Sequence, residues 1–158
     1  MKELIALRPA MPDDRDFLVR VYEASREIEL SMTPWSTAER LAFARLQFDA
    51  QTRHYGEVYP DSTNSVILYD GEPAGRLHLN RGPDQIAILD ITVLPAYRLK
   101  GIATSLITSL QAEAKESGCS LRVFVEDFNP SQAMFLGVGF EIAAREGINL
   151  RLEWRPPK

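Results

Sequence analysis

Six consecutive residues, Arg98-Leu99-Lys100-Gly101-Ile102-Ala103, place two cations and two nearly side-chain-free positions directly ahead of a helix-forming stretch. The first backbone N–H groups of a helix have no partner within it and point along its dipole, so this arrangement makes an anion site. With so little side chain at Gly101 and Ala103, a pyrophosphate could approach the amides of residues 99 to 104, and Arg98 and Lys100 would add positive charge. An ordinary strand-turn-helix with a glycine for close packing has the same local pattern, so Gly-x-Ala alone does not separate the two readings.

The elements that must position this loop follow from hydrophobic period and turn chemistry. Glu3 to Arg8 alternates weakly and stops at Pro9, as a short first strand would. Pro12-Asp13-Asp14 opens a helix whose Phe17, Leu18, Val21, Tyr22 and Ser25 form one stripe, continued by Ile28. After Met32-Thr33-Pro34-Trp35, Ser36 and Glu39 have capping-box spacing and predict a second helix from about Ser36 to Arg53. His54-Tyr55 and Val58-Tyr59-Pro60 then read as an aromatic exit. Val66 to Tyr69, a turn at Asp70-Gly71-Glu72-Pro73, Ala74 to Arg81, a turn at Gly82-Pro83-Asp84, and Gln85 to Leu94 make a three-strand antiparallel meander. The loop comes next, then a helix from about Gly101 to Ser117 closed by Gly118. Leu121 to Val125 is a fifth strand, parallel to the fourth if the intervening helix makes a right-handed crossover. A short helix from Pro130 to Val138 and strands near Glu141 to Arg145 and Asn149 to Trp154 complete the chain. No repeat, low-complexity tract or linker interrupts it, so the expectation is one mixed α/β domain over residues 1–158.

The 158 residues are enough to bury a core without covalent staples, and 45% hydrophobic content is ordinary for a globular chain. A net charge of -4 and a pI near 5.3 argue against a nucleic-acid surface. One cysteine, Cys119, cannot form an internal disulfide and suits a reducing compartment. With no apolar leader in the first ten residues and no membrane-length stretch, the expected location is cytoplasmic, without a membrane partner.

Three features together resemble the GCN5-related N-acetyltransferase (GNAT) superfamily. Arg98 to Ala103 matches the family's acyl-CoA loop, Gln/Arg-x-x-Gly-x-Gly/Ala, after Val93-Leu94-Pro95. Asn129-Pro130 followed by Phe135 and Gly139-Phe140 is similar to its later Asn-Pro, helix, aromatic, Gly-Phe segment. The order of elements is similar over essentially the whole chain. The resemblance implies a GNAT-like α/β fold: a mostly antiparallel sheet whose parallel central pair splays apart to admit the donor, acetyl-CoA. Its pantetheine arm would pair with the backbone of Ile91, Thr92 and Val93. Its pyrophosphate would sit on the amides of Leu99, Lys100, Gly101, Ile102, Ala103 and Thr104, beside Arg98. Asn129 would hold the cofactor by its amide, or cap the helix after Pro130, two roles that are compatible.

Acetyl transfer to an amine needs the amine neutral, the carbonyl polarised and a proton returned to the thiolate. Many family members use a tyrosine for the last step; the matching cofactor-side position here is Phe135, which has no proton to give. The glutamate base of the branch that acetylates ribosomal-protein N-termini corresponds to Phe124, which disfavours that branch. A CoA thiolate is a tolerable leaving group that water could protonate. Asp90, the single charge in the apolar run Ile86 to Leu94, is the candidate base. The other reading pairs it with Arg76 or Arg81, or points it at a helix end. His78 and His54 are the only imidazoles, and Glu126 and Asp127 either contact substrate or face solvent. No His, Cys or carboxylate grouping has metal spacing, so no metal is expected. In this fold the N-terminal helices cover the acceptor side, where Trp35, Tyr55 and Tyr59 could wall a cation-binding pocket or simply pack, with His78 a further substrate candidate.

The resulting expectation is transfer of an acetyl group to a primary amine, of a small molecule first, by direct attack in a ternary complex. A catalytically silent CoA-binding module is the alternative, and a tRNA-directed acetylating toxin is disfavoured by the acidic pI. A homodimer is open to the chain through pairing of Asn149 to Trp154, unless Arg155-Pro156-Pro157 blocks that edge.

Overall fold

The fold is that of a computed structural model, which describes residues 4–158. The elements run β1 (Ile5–Pro9), α1 (Arg15–Ser25), α2 (Glu27–Ser31), α3 (Thr37–Val58), β2 (Thr63–Tyr69), β3 (Glu72–Arg81), β4 (Gln85–Val93), α4 (Ile102–Ser117), β5 (Ser120–Glu126), α5 (Ser131–Gly137), β6 (Glu141–Glu146) and β7 (Asn149–Trp154). Single 3-10 turns at Pro12–Asp14 and Pro95–Tyr97 precede α1 and the loop before α4. Glu3, where the sequence pattern begins the first strand, lies outside the described residues. The strands hydrogen bond in the order β1-β2-β3-β4-β5-β7-β6, a mixed seven-stranded sheet whose one parallel pair is β4 with β5. Among the described residues no helix is long and apolar enough to cross a membrane.

Two compact units make up the chain: Met1–His78 with Asp90–Lys100, and Leu79–Leu89 with Gly101–Lys158. The first has a core of Leu18, Val19, Tyr22, Ala44 and Phe48, with Ala10, Phe17 and Leu41 against it. The stripe on α1 is therefore core, as its spacing required. That stripe does not continue unbroken to Ile28, because the chain leaves helical geometry at Arg26 (φ -109, ψ 15) and restarts as α2. The capping box that opens α3 is made in full: Ser36 Oγ accepts from the N–H of Glu39 at 3.2 Å, and Glu39 Oε1 accepts from the N–H of Ser36 at 3.0 Å. The helix then runs to Val58, past the expected end at Arg53, so His54, Tyr55 and Val58 are helical rather than part of an exit loop. The hydrophobic spacing fades there, but Gly56 alone does not end the helix, which stops at Tyr59, held out of helical geometry ahead of Pro60.

In the second unit α4 buries Ile102, Leu106, Ile107, Leu110 and Ala114. Leu121, Val123 and Val125 of β5 and Leu150 and Leu152 of β7 are buried with Phe135 and Phe140. Gly118 closes α4 in left-handed geometry at φ 72. Strand β7 lies between β5 and β6, in register from Leu121↔Trp154 to Glu126↔Asn149 on one side and with Glu141 to Glu146 on the other. This corrects the expectation for the C-terminal strand: both of its edges are used within the chain, so it is not an edge on which a second copy could pair.

Candidate active site

Strand β4 changes character half-way. Its first four residues, Gln85 to Ile88, are paired in parallel with Ser120 to Val123, and Ile86, Ala87 and Ile88 are buried. Beyond that register β4 continues to Val93 and β5 to Glu126. Asp90 and Thr92 follow on one face of β4, as alternate residues do. On the other side of this segment Gly75 of β3 allows a very close approach: a Cβ there would collide with the carbonyl oxygen of Thr92 and the Cα of Val93.

The first unit gathers a polar centre at this point. Arg76 of β3 is 2% exposed, and its guanidinium donates from Nε to Asn64 Oδ1 at 2.8 Å and from Nη1 to Gln51 Oε1 at 3.1 Å. Nη1 also reaches Asp90 Oδ2 at 3.4 Å, and Nη2 donates to His78 Nδ1 at 3.2 Å. Thr92 Oγ1 donates to the second carboxylate oxygen of Asp90, Oδ1, at 2.7 Å. The Asp90 side chain keeps 16% of its surface, with both carboxylate oxygens engaged, Oδ1 by Thr92 and Oδ2 by Arg76. Burial raises its proton affinity above the ordinary carboxylate range, against the opposing pull of Arg76. Asp90 is thus an ion-paired carboxylate, with Arg76 and not Arg81 as its partner; Arg81 is held by Glu113 through Nε at 2.6 Å.

His78 is buried and works within this network rather than at an open surface. Arg76 can only donate, so His78 Nδ1 must accept, the ring proton sits on Nε2, and Nε2 donates to Ser62 Oγ at 2.8 Å. Burial, followed by the nearby Arg76 charge, lowers its pKa to about 4, so the imidazole is neutral at pH 7. Tyr55, half-buried on α3, stands edge-on to His78 at 5.3 Å and is followed by Tyr59 at 6.0 Å. Burial, and after it the Asp90 charge, raises the pKa of the Tyr55 phenol.

Trp35 is not part of this group. It packs on Phe43 at 5.0 Å, and Phe43 lies twelve residues before Tyr55 on α3, about 18 Å along the helix axis. The sequence pattern points to Arg76 only as a partner for Asp90 and does not point to Ser62, Asn64 or Gln51. The available signal was Arg76 and His78 two residues apart in the apolar run Ala74 to Leu79, which places them on one strand face.

The loop before α4 owes its shape to two left-handed residues, Leu99 (φ 64) and Gly101 (φ 75). Arg98 to Lys100 end one segment of the first unit. Here Leu99 is fully exposed, Arg98 Nη1 is held by Glu27 Oε1 at 2.6 Å, and Lys100 Nζ lies 5.6 Å from the centre of the Tyr69 ring. Gly101 then caps α4 in the second unit, and the first bond of the helix runs from the N–H of Ser105 to the Gly101 carbonyl at 2.9 Å. The amides of Ile102, Ala103 and Thr104 are those that an α-helix leaves without an internal partner at its start.

Elsewhere in the second unit, Asn129 Oδ1 accepts from the N–H of Ser131 at 2.9 Å, and its amide donates to Glu126 Oε2 at 3.2 Å, so the side chain does fasten the start of α5. Phe135 is 1% exposed and packs on Phe140 at 5.2 Å, a core position with no polar atom. Phe124 is exposed beneath the guanidinium of Arg122, and Asp127 is paired with Arg145 at 2.7 Å. Among the described residues no group of three or more His, Cys, Asp or Glu side chains could hold a metal ion.

Known proteins extend this description. The sequence matches the family model of the acetyltransferase (GNAT) family over residues 21–140. The chain is similar in fold to the PaiA N-acetyltransferase of Thermoplasma acidophilum, solved in complex with coenzyme A. That match has 17% identity and a TM-score of 0.73, and covers 96% of this chain and 98% of that one. An acetyltransferase from Thermus thermophilus is similar at 21% identity and a TM-score of 0.71, with 97% of each chain covered. No curated protein matched the sequence. By its match from the end of α1 through Phe140, the chain belongs to the acetyltransferase (GNAT) family.

Proposed function

We propose that the protein is an N-acetyltransferase that moves an acetyl group from acetyl-CoA to the primary amine of a small molecule by direct attack in a ternary complex. The observation that carries this reading is Asp90: a carboxylate oriented by Thr92 and Arg76, on a side chain that keeps 16% of its surface, and next in the chain to Ile91–Val93. It would take the proton from the amine as nitrogen attacks the thioester carbon. The C–S bond then breaks, and the CoA thiolate takes a proton from water. Pantetheine would pair with the backbone of Ile91 to Val93, and pyrophosphate would rest on the amides before and at the start of α4.

Direct attack is favoured over an acyl-enzyme because neither nucleophile is armed. Ser62 and His78 look like a serine–base pair, but the ring proton lies between them, so the imidazole cannot accept the proton of Ser62. Cys119 is buried against the carbonyl of Pro83. The acidic net charge and the single cysteine support a small acceptor and a cytoplasmic location over a nucleic acid or an oxidising compartment.

A second reading, a CoA-binding module without turnover, rests on Phe135, which has no proton to give where many relatives carry a tyrosine. Release of CoA thiol from acetyl-CoA against a panel of amines decides between them. Turnover that drops in Asp90→Asn supports the enzyme. Tight CoA binding with no turnover on any amine, in both forms, supports the module.

A further inference from the structure

We propose that Arg76 is a positioning residue, which from one buried point sets the direction of the Asp90 carboxylate and the tautomer of His78. The proposal rests on Asp90 acting as the base. Its geometry is unusual for an ion pair. Close pairs are made at about 2.7–2.9 Å and often as a fork. Arg8 and Asp14 show that form, with Nη1 and Nη2 at 2.8 and 2.9 Å from the two oxygens, and the Asp14 pKa is lowered to about 2.

Arg76 is arranged differently. Its shortest contacts go to the neutral amides of Asn64 and Gln51, at 2.8 and 3.1 Å, and its face lies on the Phe48 ring at 5.4 Å. The guanidinium is therefore located by neutral groups from β2 and α3, and touches Asp90 by one long contact of 3.4 Å. Such a partner orients a carboxylate without suppressing its proton affinity as a fork would. A buried ion pair is seldom retained for stability, since desolvation offsets most of its attraction. The charged and titratable groups around Asp90 are Arg76 and His78 on β3, Tyr55 on α3 and Arg26 between α1 and α2. Arg76 binds both Asp90 and His78 directly.

The test uses Arg76→Lys and Arg76→Gln, each first checked for native circular dichroism, with steady-state kinetics and nitrogen-15 NMR of the histidines. In the unmodified protein His78 carries its proton on Nε2 and stays neutral until the pH approaches about 4. Arg76→Gln should bring the imidazole back towards an ordinary titration and release its tautomer, and should move the acid limb of kcat/KM upward in pH. Arg76→Lys keeps the charge and loses the planar set of donors that reaches Asn64, Gln51, His78 and Asp90 together, and kcat should fall about tenfold to a hundredfold with KM for acetyl-CoA unchanged. If either variant fails to fold, Gln51→Met removes one neutral anchor of Arg76 and should move the same readouts in the same direction by less. A folded Arg76→Gln with wild-type His78 titration, kcat and pH profile overturns the proposal. NMR shifts as expected in a protein that acetylates no amine would instead overturn the reading of Asp90 as base and leave the placement by Arg76 standing.

Discussion

The loop from Arg98 to Thr104 and the centre formed by Arg76, His78 and Asp90 are built from opposite materials. The loop is mostly backbone: two left-handed residues and a run of amides, with its cations already engaged, Arg98 by Glu27 and Lys100 by the Tyr69 ring. The centre is mostly side chain, with one buried guanidinium distributing its donors among four acceptors. Backbone sites tolerate side-chain change but not conformational change, whereas side-chain centres fail when a single functional group is lost.

Mutations can break that contrast. The largest effect belongs to Asp90→Asn, which keeps the shape and removes the base: kcat should fall about 10²- to 10⁴-fold while the Kd for CoA measured by calorimetry is unchanged. Equal loss of CoA affinity would show that the two regions are one. Next in size is Gly101→Val, which places a branched residue at φ 75; acetyl-CoA binding should weaken about tenfold, at a stability cost of about 1–2 kcal/mol read by urea unfolding. Lys100→Ala, a change of side chain alone in the same loop, should alter that affinity by no more than about threefold if the amides carry the site. An effect larger than that of Gly101→Val would reverse the assignment.

The pH dependence of stability sharpens the comparison from the other side. The folded-state pKa of His78 lies below its ordinary value, so the unfolded chain binds the proton first. Its contribution is present above pH 6.5 and is lost as pH falls from 6.5 towards about 4. Asp90 acts in the opposite sense, since its raised folded-state pKa makes protonation favour the native state. The Asp14 contribution is lost lower, between 3.8 and about 2. Thermal melting across pH 7 to 4 should therefore show a decline that His78→Gln flattens, and an unchanged profile in that variant would remove the neutral buried imidazole from the account.

The same contrast explains what could be read from the sequence. Glycines and caps are local: Gly101, Gly118 and the Ser36–Glu39 box report backbone geometry by their own chemistry, and each stands where its residue type placed it. The length of α3 was less legible, because aromatic residues after Arg53 neither continue a clear stripe nor stop a helix. The centre was legible only in its charged member. Asp90 stood out in an apolar strand, but the choice of Arg76 over Arg81 depends on which strand face each occupies, and Ser62, Asn64 and Gln51 reach the site from separate elements whose approach no local pattern encodes. Trp35 and Tyr55 looked alike as loop aromatics, and only the length of α3 separates them.

The placement of β7 between β5 and β6 also has a meaning for synthesis. Strand β6 leaves the ribosome before β7 yet has no register with β5 to join; its partner is the strand that follows it. It must wait for residues 149 to 154 and enter with them as a hairpin. Until then the edge of β5 that takes β7, carrying Val123, Phe124 and Val125, is open to pairing with another strand.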